Sequence, residues 1–239
     1  MPPFIRTLLQ AVVGLIVIAV IWFVAAIVVD DPLRLPAPTI VFAKTVELAT
    51  SGEYLRHATE SLTVLLFGLL PALVAGIVIG FLARVEGMRW VLGPLIVVLA
   101  ATPVFALYPL LVIWGGLTFV PKAILVFVAA AFPIMNAIMM HSPPRPARDA
   151  APPDDNFGEV QPRRAAIAML SGLRLGVILG VAALILSEFM AASRGAAFLI
   201  TNSSAMFDTP TMLAAVLLIA VPTILVVAIL QAIEEQIAG

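Results

Sequence analysis

Residues 62–83 read LTVLLFGLLPALVAGIVIGFLA, a run of 22 positions without one charged side chain. An α-helix rises about 1.5 Å per residue, so this run reaches across the roughly 30 Å hydrocarbon core of a bilayer. Four further uncharged runs occupy 8–29, 91–114, 123–140 and 212–233. A sixth, 165–190, keeps an uncharged centre from Leu175 to Ser187, with Arg174 towards one end and Glu188 towards the other. In lipid every backbone donor and acceptor must be satisfied within the protein, which makes segments of this length helical. The reading is an all-α, polytopic membrane helical bundle of about six transmembrane helices, organised as a single transmembrane domain over 1–239.

Composition agrees. Of 239 residues 62% are apolar and only 11% charged, with a mean hydropathy of +1.15. A soluble domain carries about 25% charged residues, because its surface must be hydrated. The first run, 8–29, exceeds the roughly 7–15 residues of a signal-peptide core, so a retained span is expected there. A net charge of -1, with no basic cluster denser than Arg163 and Arg164, leaves no electrostatic footprint for nucleic acid. There is no cysteine, which excludes thiolate metal sites and disulfides. His57 and His141 lack partners at metal-ligand spacing, so no metal site is expected. The only lysines are Lys44 and Lys122, and neither closes a Gly-rich phosphate loop. The chain is therefore not expected to be an enzyme.

Lysine and arginine in short loops mark the cytoplasmic side. Arg6, Arg84, Arg89, Arg145, Arg148, Arg163 and Arg164 fall on one side; Arg34, Lys44, Arg56, Lys122 and Arg194 fall on the other. An even number of spans puts both termini on the richer side, so both are expected in the cytoplasm, together with the proline-dense loop 141–164. Six prolines in that loop argue against a long helix there.

Within the fifth span Gly172, Gly176 and Gly180 recur every four residues and so share one face. Small residues in that pattern let a neighbouring helix approach closely, and helix packing is the role expected of them. Arg174 and Glu188 face away from this stripe and lie about 21 Å apart along a straight helix, so each needs its own partner or water. An ionisable group at membrane depth points to a translocation path or gate, the alternative for Glu188 being a solvated helix end. Asn136, close to Pro133 in the fourth span, suits either a path position or an interhelical hydrogen bond. Pro71, Pro94, Pro103, Pro109 and Pro222 lie within apolar runs, where they kink helices.

Taken in order, Leu35-Pro36-Ala37-Pro38, Ser51-Gly52 and His57-Ala58-Thr59-Glu60-Ser61-Leu62 resemble the binding-protein-dependent ABC importer permeases of the sulfonate, taurine and nitrate type. Gly76, Gly80, Pro94, Pro103, the stretch Pro109-Leu110-Leu111-Val112-Ile113-Trp114-Gly115, Lys122, Phe132-Pro133-Ile134 and Asn136 continue that likeness. So do Gly172-Leu173-Arg174-Leu175-Gly176, Ser187-Glu188-Phe189-Met190 and Phe207-Asp208-Thr209-Pro210. The resemblance covers about 35–233. It implies a type I importer permease fold in a bacterial inner membrane and a dimer with a second permease copy or paralogue. It also implies an extracytoplasmic solute-binding protein and separate ABC ATPase subunits, which would hold ATP and Mg; this chain itself needs no cofactor. The solute class it implies is small and anionic.

The family docks its ATPase through a loop marked by Glu-Ala-Ala, a Gly four residues later and a downstream Leu-Pro. At the matching place stand Arg148, Asp149, Ala150 and Ala151, with Asp155 at the glycine position, Gly158 three residues late, and Gln161-Pro162. Pro152 and Pro153 break a helical turn there. Two readings follow: a permease whose altered loop docks an ATPase in another geometry, or a degenerate permease homologue acting as a structural or regulatory membrane partner. Ion-coupled secondary transport ranks last, because it calls for charges near the bilayer midplane.

Overall fold

The computed structural model describes residues 3–140, 157–191 and 193–238. Its elements are α1 (Pro3–Val29), α2 (Pro38–Thr50), α3 (Gly52–Leu82), α4 (Glu86–Ala101), a 3-10 turn (Val104–Leu107), α5 (Tyr108–Gly115), α6 (Phe119–Met140), α7 (Phe157–Ala191), α8 (Ala196–Ala205) and α9 (Thr209–Ala238). The protein is all-α, with no strand among the described residues. Among the described residues four helical segments, Gly52–Leu82, Phe119–Met140, Pro162–Met190 and Thr209–Ala238, are long and apolar enough to cross a bilayer, and a bent pair of helices would make a fifth. The expected first span lies within α1, where Ile16–Val29 is a shorter apolar helix. Apolar side chains such as Ile18, Val78, Val98 and Ile224 stand more than half exposed, as expected where lipid is the solvent.

The chain forms two compact units. One comprises 1–58 and 194–219. In it Pro38 opens α2 at a first-turn position, where its missing N–H costs no helical bond. Leu48, Leu199, Ala214 and Ala215 form its small core. Tyr54 donates a hydrogen bond to the Leu218 carbonyl at 3.1 Å, and Trp22 Nε1 donates to the Pro36 carbonyl at 3.1 Å. The stretch Phe207-Asp208-Thr209-Pro210 builds the start of α9. Phe207 takes a left-handed φ of 57°, and Asp208 Oδ1 accepts the Thr211 N–H at 3.2 Å as a helix cap.

The second unit comprises 59–193 and 220–239. Its central helix is α6, which buries Leu125, Val126, Ala129, Ala130, Ala131, Ile134, Met135 and Ile138. Close approach is possible because two glycine series face it. From α3, a Cβ built on Gly68, Gly76 or Gly80 would come within 2.6, 2.6 and 2.9 Å of Val126, Ile134 and Ile138. From α7, a Cβ on Gly172 would lie 3.0 Å from Ala137 and from the Ile134 Cα, and one on Gly176 would lie 3.1 Å from the Ala130 carbonyl. Gly180 is looser, its nearest neighbour being Val126 at 3.6 Å. Van der Waals packing of this kind is what associates helices in lipid, where the solvent is as apolar as the side chains.

Two expectations are corrected. The expected span 91–114 is not one helix: Gly87–Leu99 and Val104–Gly115 are inclined by 79°. Pro103 disfavours helical geometry in the residue before it, and Thr102 accordingly has an extended ψ of 135°. The expected loop 141–164 is helical from Phe157 onward. Pro162 sits inside that helix, since its fixed φ suits a helix and it removes a single donor. Extension from the long α7 needs no new nucleus.

Candidate functional site

Within the second unit a cavity of about 520 Å³ opens at the break between α4 and α5. Thr102, Pro103 and Phe105 line one side; Phe132, Pro133, Asn136, Ser171 and Leu175 line the others. The site follows from two prolines. Pro103 breaks the chain, and irregular backbone at membrane depth is tolerated where it borders a cavity. Pro133 cannot donate to the Ala129 carbonyl, which frees that oxygen from the helical ladder beside the same cavity. The lining is largely apolar, with Thr102, Asn136 and Ser171 as its polar points.

Glu188 lies elsewhere. Only 1% exposed, it accepts a hydrogen bond from the Ser61 hydroxyl of α3, with 2.5 Å between the oxygens. The reading of Glu188 as a solvated helix end therefore does not hold, because the neighbouring helix covers the carboxyl and offers it a donor. Ser61 is itself buried at 6%. Arg174 finds its partner in α9, where Glu234 Oε2 stands 3.5 Å from Arg174 Nη2. That oxygen is buried and has no hydrogen bond, so the contact is an ion pair alone. Arg163 Nε of α7 also donates to the Ile237 carbonyl of α9. Asn136, Arg174 and Glu188 are thus not brought together as one site among the described residues.

The expected coupling residues Arg148, Asp149, Ala150 and Ala151 lie outside the described residues. Gly158 falls in the first turn of α7. His57, in the first unit, is engaged structurally: its Nδ1 accepts the Gly195 N–H at 3.1 Å, and its ring stacks on Phe198. That bond accommodates Gly195 at a φ of 126°, open to glycine alone. Among the described residues no three His, Asp or Glu side chains are grouped to hold a metal ion.

Sequence reasoning did not single out Ser61 and Glu234 as partners. Each carried a signal, namely a polar side chain at the edge of an apolar run. The α3 series Gly68, Ala72, Gly76 and Gly80 carried the same four-residue spacing as the α7 stripe.

A proline-broken helix pair beside an open apolar cavity, among several helices able to cross a bilayer, marks an all-α polytopic membrane protein. No protein-family model matches the chain. It is similar to the taurine transport system permease protein TauC of Escherichia coli, 27% identical over 93% of this chain and 86% of the relative. It is also similar to the formylaminopyrimidine transport permease protein ThiX of Halalkalibacterium halodurans, 26% identical over 95% and 94%. A third relative, the riboflavin transport system permease protein RibX of Chloroflexus aurantiacus, is 25% identical over 80% and 74%. These relatives are permease proteins of transport systems, and the chain is similar to them over most of its length.

Proposed function

We propose that this chain forms the translocation path of an ATP-driven importer for a small anionic solute, sulfonate-like in chemistry. The carrying observation is the 520 Å³ cavity at the Thr102–Pro103 break, where Asn136 and Ser171 offer hydrogen bonds within apolar walls. A path needs weak, replaceable contacts of this kind rather than a tight polar cage. The chain works beside a second permease copy or paralogue in a bacterial inner membrane, with both termini in the cytoplasm. ATP and Mg are bound by separate ATPase subunits, and a solute-binding protein delivers cargo from outside. Arg174 acts from the rim of the path through its hold on Glu234, and Glu188 serves as a fixed charge of the gate.

The test is reconstitution in proteoliposomes with its ATPase and binding protein, measuring ATP-dependent uptake. Ser171→Phe, which fills the cavity, should abolish uptake while the assembled complex still forms. Undiminished uptake refutes the path. The altered segment around Asp149-Ala150-Ala151 supports a second reading, a regulatory or structural membrane partner. Failure to co-purify with any ATPase, while a companion permease does, favours that reading.

A further inference from the structure

Among the described residues two that are not glycine hold a left-handed backbone, Asp30 at φ 48° and Phe207 at φ 57°. Aspartate takes that conformation readily, but a bulky aromatic residue does so at a cost. The turn at the end of α8 imposes it. There the Met206 N–H donates to the Asn202 carbonyl, the Phe207 N–H to the Ser204 carbonyl and the Asp208 N–H to the Ser203 carbonyl. A helix end closed in this way calls for a left-handed residue, ordinarily Gly or Asn. Packing within the chain does little to offset the choice of phenylalanine, because Phe207 is 79% exposed, and Met206 beside it is exposed as well.

A second segment of the same unit brings another exposed apolar side chain to this turn. The Thr209 hydroxyl donates to the Leu33 carbonyl, which ties Leu33, 68% exposed, to the turn that carries Phe207. Leu33 follows the uncharged run 8–29 by four residues, and Phe207 precedes the run 212–233 by five. Both positions thus stand just beyond the hydrocarbon core, in the headgroup layer, which adds roughly 5–7 Å on each side. Leu33 also continues in sequence from the end of α1, whose Ile27 and Val28 are exposed apolar side chains. The charges near the turn are already paired, Arg34 with Asp31 at 3.2 Å and Lys44 with Glu47 at 2.8 Å, and Lys44 also feels the charge of Asp208. An occupant of this surface therefore need bring no charge of its own.

We infer that Leu33, Met206 and Phe207 form an anchor that enters the headgroup layer of the bilayer, with lipid as its occupant. Aromatic and aliphatic side chains are favoured at that depth, where their apolar bodies leave water and the paired charges beside them stay hydrated. Asp208, the next residue, caps α9, so the anchor fixes the depth at which that helix begins.

The sequence has no cysteine, so one introduced thiol carries a nitroxide label at a single chosen place. The full chain in liposomes is labelled in the separate variants Leu33→Cys, Met206→Cys, Val78→Cys and Glu47→Cys. Power-saturation electron paramagnetic resonance then measures collision with oxygen, which concentrates in lipid, and with a water-soluble nickel chelate. Val78, within the run 62–83, marks the lipid end of the scale, and Glu47, exposed on α2, marks the aqueous end. Labels at 33 and 206 should collide several-fold more readily with oxygen than with the chelate, closer to Val78 than to Glu47. Chelate access equal to that at Glu47 overturns the anchor. Shielding from both reagents overturns it too, and marks a protein, a second copy or a soluble partner, as the occupant. Phe207→Gly supplies the second arm. Glycine takes the left-handed backbone freely, so the melting temperature should be unchanged or raised, while labels at 33 and 206 gain chelate access several-fold. A lowered melting temperature shows that the ring packs inside the chain and overturns the anchor, and unaltered labels overturn the part of Phe207 in it.

Discussion

Gly76 of α3 is the position where one methyl group should do most harm. A Cβ there would stand 2.6 Å from Ile134 Cγ2 and 2.7 Å from Ile134 Cβ, where ordinary contact begins at 3.4 Å. Ile134 is fully buried and cannot swing away, since the Gly172 and Gly176 backbone of α7 presses on it from the other side. Gly76→Ala must therefore part α3 from α6 by roughly 0.8 Å, a gap that forfeits a quarter to a half of each dispersion contact it opens. Overpacking of this kind costs about 1–3 kcal/mol. Replacing a mid-helix glycine by alanine returns about 0.5–1 kcal/mol, so the net destabilisation is up to about 2.5 kcal/mol. Gly180→Ala is the matched control, because its Cβ meets nothing nearer than 3.6 Å and only the helix gain remains. Thermal unfolding in detergent, followed by circular dichroism, should show Gly76→Ala lower by up to about 10 °C. Gly180→Ala should be unchanged or slightly raised. If Gly76→Ala proves as stable as Gly180→Ala, the close packing of α3 on α6 is not as described.

Ser61→Ala removes the hydroxyl that donates to the buried Glu188 carboxyl and should cost about 1.5–3 kcal/mol; adding Glu188→Leu to it should recover much of the loss in the same melt, because the buried carboxyl that loses this bond is then gone. Charge reversal at either member of the Arg174–Glu234 pair should destabilise the chain, and the double exchange Arg174→Glu with Glu234→Arg should regain part of the loss; a double-mutant cycle with no coupling would leave the pair without energetic weight. Asp208→Ala deletes the cap on the start of α9 and should lower stability by about 1 kcal/mol, with Asp208→Ser close to the unsubstituted chain. Hydrogen exchange at the amides of Thr211 and Met212 would localise that effect.

Much of the fold is legible in the chain because lipid imposes a simple rule. Runs such as 62–83 and 212–233 must be helices once they are uncharged over that length, and α3 and α9 extend through them. The glycine spacing at 172, 176 and 180 likewise foretells a closely approached face, although the helix that approaches it, α6, is not written there. The break at Thr102–Pro103 was hidden because a proline in an apolar run reads as a kink as readily as an interruption; Thr102 is extended only in the folded backbone. Helical structure from Phe157 was hidden by Pro162, whose local penalty is outweighed by the long helix that follows it.

The sequence by itself determined the solvent, the long uninterrupted helices and which residues are too polar to face lipid, since these depend on composition and on neighbours a few residues away. Only the tertiary structure decided who meets whom. Ser61 reaches Glu188 across 127 positions of chain, and Glu234 closes on Arg174 from another helix. Helical periodicity tells which side chains share a face, but the helix opposite that face is chosen by packing between distant segments, which no local pattern encodes.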